Sequence, residues 1–310
     1  KLFALESEDD VKEFDIVGFT LMYELCYTNV LNMLDLAGIP LLSKDRTDLT
    51  PIIACGGPCA CNPEPIADFV DLVFLGDGKE STMQVLDLLK ERKKNGNSKH
   101  EFLMKAKDIR GVYVPSFYED TYHDDGTLKE LKPLFGAPEK IKKAVVSDMD
   151  NCFYPDNFVV PFINIVHDRA VEEIFRGCIR GCRFCQAGFT YRPIREKSVE
   201  TINKQSKALI ESTGYDELSL CSLSTSDHSC VNEMLSSLID WTVKDKINLS
   251  LPSLRVDNFS DYSIFESANV RNCIIFLRNI KTKTNKCLFT KMSYNKTLSI
   301  LHDNVRGFKH

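Results

Sequence analysis

Apolar and polar residues alternate along this chain in two rhythms. "FDIVGFTL" (14–21) is a short apolar run with β-branched residues and predicts a buried strand. "YTNVLNMLDLAGI" (27–39) spaces its apolar residues for a helix and ends near Gly38, a residue suited to a helix C-terminus. "PIIACGGP" (51–58) predicts a second strand running into a Gly-Gly turn, and "EPIADFV" (64–70) a helix. "DLVFLGDG" (71–78) predicts a third strand, and "KESTMQVLDLLKERKKNG" (79–96) a helix with a basic last turn. Strands and helices that alternate with short connections predict a parallel, doubly wound sheet, a Rossmann-like domain over residues 1–110.

The rhythm then changes. In "GVYVPSFYEDTYHDDGTLKEL" (111–131) two extended runs flank Asp125-Gly126, the signal of a hairpin. The segment 132–161 holds four prolines and little periodicity, so 111–166 reads as a hairpin and a linker. From residue 167 the alternation returns: a strand at 170–177, a helix at 198–215 with Ser198 as its N-cap, a strand at 217–224, a helix at 230–246 and a strand at 247–256. Three strands and two helices over 167–260 make less than half of an eight-fold βα barrel.

Charge separates the last fifty residues from the rest. From Asp261 to His310 there are nine Lys or Arg and three Asp or Glu, leaving 30 and 41 for the first 260 residues. The sign of the charge therefore changes at one point. A basic tail over 261–310 can bind nucleic acid; a shift of reading frame near Ser260 accounts for the same change and for the loss of βα alternation. On that second reading the chain is a fragment, inactive in turnover and poorly soluble. No run of 18 apolar residues predicts a membrane span, and no secretory signal opens the chain. It begins at Lys1 and runs straight into an α/β pattern, which predicts that residues upstream are missing. Twelve cysteines without a signal peptide point to a reducing, cytoplasmic setting with a metal or redox cofactor, not to a disulfide framework. Cys26, Cys221 and Cys273 sit in apolar runs and read as buried small hydrophobes.

The strongest chemical signal is "EIFRGCIRGCRFCQAGFTYRP" (173–193), with Cys178, Cys182 and Cys185 spaced C-x3-C-x2-C. A structural zinc site takes four ligands, and His228, Cys221 or Cys230 can supply the fourth. That reading makes the chain a zinc-stabilised module with a nucleic-acid-binding tail. Electron-transfer [4Fe–4S] clusters also take four cysteines. Three thiolates on four irons leave one iron open to chelate a substrate, and the amino group and carboxylate of S-adenosylmethionine suit that place. Gly177 and Gly181 let the loop wrap closely around a cluster. Arg176, Arg180 and Arg183 add positive charge, which favours thiolates.

The motif, with aromatic Phe184 before its last cysteine, resembles the signature of the radical S-adenosylmethionine (SAM) superfamily. The segments 167–198, "LSLCSLSTSDHS" (218–229) and "LSLPSLRVDNFS" (249–260) are similar to an uncharacterised group with a cobalamin-binding-like amino-terminal domain. "DIVGFTLMYELCYTNVLNMLDLAGIPLLSKDRT" and "GGPCACNPEPIADFVDLVFLGDGKE" resemble that domain, so the resemblance spans roughly 1–260. It implies a partial radical SAM barrel, a [4Fe–4S] cluster on the three cysteines, and reductive cleavage of S-adenosylmethionine. The radical so formed abstracts hydrogen or leads to group transfer on an unknown substrate. An electron donor such as flavodoxin or ferredoxin is implied as partner. In most relatives the second strand ends in a Gly-Gly-Glu-like turn for the amino group of S-adenosylmethionine. Here the place reads Ser222-Leu223-Ser224-Thr225-Ser226-Asp227, which puts Ser222 and Ser224 among the candidate contacts, with Arg255 at the same rim. For cobalamin, Thr20-Leu21-Met22 and Gly56-Gly57 match loosely, while the expected Asp-x-His-x-x-Gly motif is absent. His123 lies in the hairpin and reads as a turn residue, so bound corrin would be base-off.

Overall fold

The computed structural model describes residues 2–155, 157–163 and 165–254, together with the backbone of two short strands at 274–278 and 287–291. The chain divides into two compact units, Lys1–Val146 and Ser147–His310.

The first unit is built on a four-stranded sheet in the order β1 (Ile16–Thr20), β2 (Ile52–Gly56), β3 (Leu72–Phe74) and β4 (Val112–Tyr113). The first three strands are parallel, and β4 runs antiparallel beside β3. This corrects the doubly wound expectation: the parallel strands lie in sequence order, with no reversal of strand order among them. Both faces are nevertheless covered, because alternate residues along each strand point to opposite sides. Ile53, Cys55, Val73 and Tyr113 pack with Val30 and Leu34 of α1 (Tyr27–Leu36). Ile52, Ala54, Leu72 and Val112 pack with Val85 and Leu89 of α2 (Gly78–Asn95) and with Phe102 and Leu103 of α3 (Lys99–Ala106). The predicted helix at 64–70 is a 3-10 helix, Glu64–Phe69.

The predicted hairpin is present as β5 (Tyr118–Tyr122) and β6 (Leu128–Pro133), with His123 and Gly126 hydrogen-bonded in its turn. The segment that follows does not behave as a free linker. Ala137, Ala144 and Val146 are buried in the first unit, and Ala144 bridges Gly76. Backbone passes so close there that a Cβ at Gly76 would stand 2.1 Å from the Ala144 carbonyl oxygen. Ala144 donates to Leu75 O at 2.8 Å, and Asp77 Oδ2 accepts from Val146 N at 2.8 Å.

The second unit carries a three-stranded sheet in the order β11–β10–β7. Here β7 is Ala170–Glu173, β10 is Glu217–Cys221 and β11 is Asn248–Ser250, all parallel. α5 (Val199–Thr213) joins β7 to β10, and α6 (Val231–Thr242) joins β10 to β11. Ser198 caps α5 by accepting from Thr201 N at 3.2 Å, and Gly214 ends it at φ +71°. Ile202, Leu209, Met234, Leu235 and Leu238 close the helix layer over Leu218, Leu220 and Leu249. The strand expected over 170–177 breaks after Glu173. Phe175–Arg176 (β8) leaves the sheet and pairs antiparallel with Arg195–Glu196 (β9). The last two strands, Ile274–Arg278 (β12) and Cys287–Lys291 (β13), pair antiparallel.

Candidate functional site

The three cysteines lie on one loop, and the fold fixes both of its ends. Ile174 N donates to Cys221 O at 3.0 Å, which extends the β7–β10 ladder to the brink of the loop. The β8–β9 pair then sets Phe175 opposite Glu196 and Arg176 opposite Arg195, closing residues 177–194 at the base. Gly177 is required at this junction. Its φ is +93°, and a Cβ would stand 2.6 Å from Pro193 O and 3.0 Å from Ile194 Cα. Gly181 makes a second left-handed turn at φ +62°. Within the loop, Cys178 O accepts from Arg192 Nε at 3.4 Å, and Cys185 N donates to Cys182 O at 3.0 Å. α4 (Ala187–Thr190) follows the last cysteine directly. Gly177→Ala is expected to loosen this loop at a cost of about 1–3 kcal/mol, since both the φ and the contact are refused to alanine. Limited proteolysis within 177–194 should be faster in that variant than in Gly181→Ala, whose Cβ meets only the end of the Arg192 side chain at 3.8 Å.

Cys178, Cys182 and Cys185 are all half-buried and are not joined by disulfides. Among the described residues no three His, Cys, Asp or Glu side chains converge as a single metal ion requires. A mononuclear zinc needs every sulfur about 2.3 Å from one point; a polynuclear cluster takes each thiolate on a different iron. The donor set is three soft ligands on one short loop that do not meet at a single point, which is compatible with a polynuclear cluster. His228, a candidate fourth zinc ligand, is buried with both ring nitrogens engaged. Nε2 lies 3.2 Å from Lys197 O, and Nδ1 accepts from Cys230 N at 3.2 Å. Cys221 and Cys26 are not the buried hydrophobes expected: Cys26 is half-buried and Cys221 exposed, although partial desolvation, then Glu173 and Glu172, holds the Cys221 thiol above its usual range.

The arginines among the cysteines have separate tasks. Arg176 forms a two-pronged pair with Glu173 at 2.7 and 2.8 Å. Arg180 reaches out of the loop to Asp227, with Nε 2.7 Å from Oδ2 and a second contact between the same groups. Arg183 and Phe184 are exposed. The turn at the carboxyl end of β10 therefore stands beside the cysteine loop. In it Ser222 Oγ lies 3.0 Å from Thr225 Oγ1, which donates to Pro252 O at 2.7 Å beyond β11. Ser224 is buried, and its hydroxyl has no hydrogen-bond partner among the described residues. Arg255 lies outside the described residues.

In the first unit Thr20, Gly56 and Gly57 come together at the carboxyl ends of the parallel strands. They line a cavity of about 380 Å³ with Gly18, Phe19, Phe74, Gly76 and Thr82 among the other walls. Leu21 N donates to Gly56 O at 2.7 Å, and Gly57, at φ +98°, lies so close to Leu21 that a Cβ would stand 2.8 Å from its carbonyl oxygen. His123 is in the hairpin turn and is not among the cavity residues. Among the described residues no helix is long and apolar enough to cross a membrane.

Residues 1–115 match the family described as Radical SAM proteins, N-terminal. The amino-terminal part of the chain, just over a third of its length, is thus similar to the amino-terminal domain of radical SAM proteins. It is 26% identical over 265 residues to the uncharacterized protein MJ0966 of Methanocaldococcus jannaschii, a match that covers 84% of this chain and 49% of that protein. The chain thus spans about half the length of this relative. Among solved structures it is similar to the cobalamin-dependent S-adenosylmethionine radical enzyme OxsB with aqua-cobalamin and S-adenosylmethionine bound. The TM-score is 0.48 at 17% identity, over 81% of this chain and 32% of that one. It is also similar to the radical S-adenosylmethionine methyltransferase TsrM from Kitasatospora setae with cobalamin and a [4Fe–4S] cluster bound. There the TM-score is 0.47 at 11% identity, over 84% of this chain and 48% of that one.

Proposed function

We propose that this chain is the cofactor-binding portion of a radical SAM enzyme, with Cys178, Cys182 and Cys185 holding a [4Fe–4S] cluster whose fourth iron is open to S-adenosylmethionine. The observation that carries the reading is the cysteine loop itself. Three thiols follow the carboxyl end of the first strand of a parallel βα unit on a loop closed at its base. A cluster held by Cys178, Cys182 and Cys185 would supply one electron for the reductive cleavage of the C5′–S bond of S-adenosylmethionine, the chemistry that would yield methionine and a 5′-deoxyadenosyl radical. That radical is suited to hydrogen abstraction or group transfer on a substrate of unknown class, with a flavodoxin- or ferredoxin-like donor supplying the electron. The residues of the chain bind and orient. Gly177 and Gly181 let the loop curve. The hydroxyls of Ser222 and Ser224 stand on the neighbouring turn, where the amino group of S-adenosylmethionine would need acceptors. The parallel strands β7, β10 and β11 are less than half of an eight-fold βα barrel, and shielding a radical from water would need more of it.

For the first unit we propose a cobalamin-binding role with no histidine ligand from the protein. Its support is the cavity lined by Thr20, Gly56 and Gly57, whose volume of about 380 Å³ admits a part of that cofactor and not a whole corrin. Iron and acid-labile sulfide after anaerobic reconstitution test the main reading. The wild-type chain should hold four of each, and the variant with all three cysteines changed to Ala close to none. One zinc per chain, or equal iron in the triple variant, would overturn it.

A further inference from the structure

The cysteine loop is held at its base by a ladder, but a loop of 18 residues needs a second anchor to present its cysteines in one geometry. Arg180 supplies one. It stands between Cys178 and Cys182, and its guanidinium meets the carboxylate of Asp227 through two contacts, one of 2.7 Å. The Asp227 side chain is only 5% exposed, and that of Arg180 is 35% exposed. A two-pronged guanidinium–carboxylate pair fixes direction as well as distance. Asp227 is itself immobilised. Its short 3-10 helix, Thr225–Asp227, is tied to the exit of β11 by Thr225 Oγ1 to Pro252 O at 2.7 Å and Thr225 N to Ser253 O at 3.3 Å. The next residues are tied to β9, where Ser229 N donates to Glu196 Oε1 at 2.9 Å. One ion pair thus joins the loop between β8 and β9 to a turn that is already stitched to β9 and β11.

We propose that Arg180 and Asp227 act as a positioning clamp. They set the cysteine loop against the turn at the carboxyl end of β10, so that a ligand held by the cluster at one end meets the hydroxyls of that turn at the other. The clamp rests on the radical SAM reading for its purpose, though not for its existence. Neither residue is a catalytic residue. A carboxylate already occupied by Arg180 is a poor acceptor for the amino group of S-adenosylmethionine, which leaves Ser222 and Ser224 to that task.

The test separates clamp from cluster. Hydrogen–deuterium exchange of residues 178–192 is measured in the metal-free full chain for the wild type, Arg180→Gln, Asp227→Asn and the double variant. Each single change should speed exchange by about tenfold, and the double variant should be no faster than either, as expected of two groups in one interaction. Additive effects, or exchange unchanged in the single variants, would overturn the clamp. After reconstitution, Arg180→Gln should keep its iron and sulfide but bind S-adenosylmethionine about tenfold more weakly, with Arg180→Lys intermediate. Unchanged affinity in Arg180→Gln would overturn the positioning role. A wild-type chain that takes up no iron would sink the radical SAM reading and, with it, the purpose assigned to the clamp, while the exchange result would still stand or fall alone.

Discussion

Asp71→Ala is expected to unfold the first unit under conditions where the wild type is stable. Asp71 is only 2% exposed, yet it is the meeting point of three positive or donating groups. Its Oδ2 accepts from Ile53 N and from Arg46, each at 2.8 Å, and Lys99 lies 2.7 Å from Oδ1. Burial lowers the Arg46 pKa, and Asp71 opposes that shift by favouring the charged form. Arg46 also donates to the carbonyls of Pro40 at 2.9 Å, Leu41 at 2.7 Å and Phe69, so it pins the 40–46 loop to the chain entering β3. Removing the carboxylate strands a buried guanidinium and a nearly buried ammonium. Breaking one partner of such a pair costs about 3–5 kcal/mol, a large share of ordinary domain stability. Urea titration should show the loss. The pair Asp71→Ala with Arg46→Met should lose less than Asp71→Ala alone, because no charge is left without its partner on that side. Equal midpoints for wild type and Asp71→Ala would refute this account of the unit.

Glu172→Ala should be nearly as costly in the second unit, and it should also release the cysteine loop. Glu172 on β7 and Lys197, just after β9, are both fully buried, with Nζ 2.7 Å from Oε1. Gln205 of α5 accepts from the same ammonium at 2.6 Å, and the ammonium lies 4.0 Å from the centre of the Tyr154 ring. Burial holds Glu172 above the usual carboxylate range, and Lys197 pulls it back. Lys197 N donates to Ile174 O at 3.0 Å, so the pair stands at the root of the 177–194 loop. An unpaired Lys197 there should cost about 3–5 kcal/mol and lower iron retention in proportion to the unfolded fraction. Glu172→Gln, which keeps an acceptor, should lie between. Thermal melting with iron analysis on the same samples checks both outcomes.

The parts legible in the sequence are those whose cause is local. The βα alternation gave β1 to β3 and β7, β10 and β11 because each strand is a short apolar run between turn residues. Ser198 announced α5 by capping chemistry, and Asp125-Gly126 announced the hairpin. The triad of cysteines was legible because eight residues contain it. α3 escaped the pattern even though Ser98 and Glu101 form a full capping box, since eight residues are too few for periodicity to stand out. β4 is two residues long, and its antiparallel direction depends on its partner and not on its own sequence. The proline-bearing stretch after the hairpin read as linker, but Gly76 and Gly111 leave room for Ala144 to enter the first unit. The pairs Arg46–Asp71, Glu172–Lys197 and Arg180–Asp227 join residues 25, 25 and 47 positions apart. Charges that far apart look like surface residues until the fold brings them together.

The central claim is that the cysteine loop holds a cluster with an iron free for substrate. The most direct measurement is the electron paramagnetic resonance spectrum of the reconstituted, reduced chain before and after addition of S-adenosylmethionine. An open iron that chelates the amino group and carboxylate must change its signal on addition, and the change should be absent when methionine's carboxylate is esterified. A cluster spectrum that stays the same at saturating S-adenosylmethionine would contradict the account.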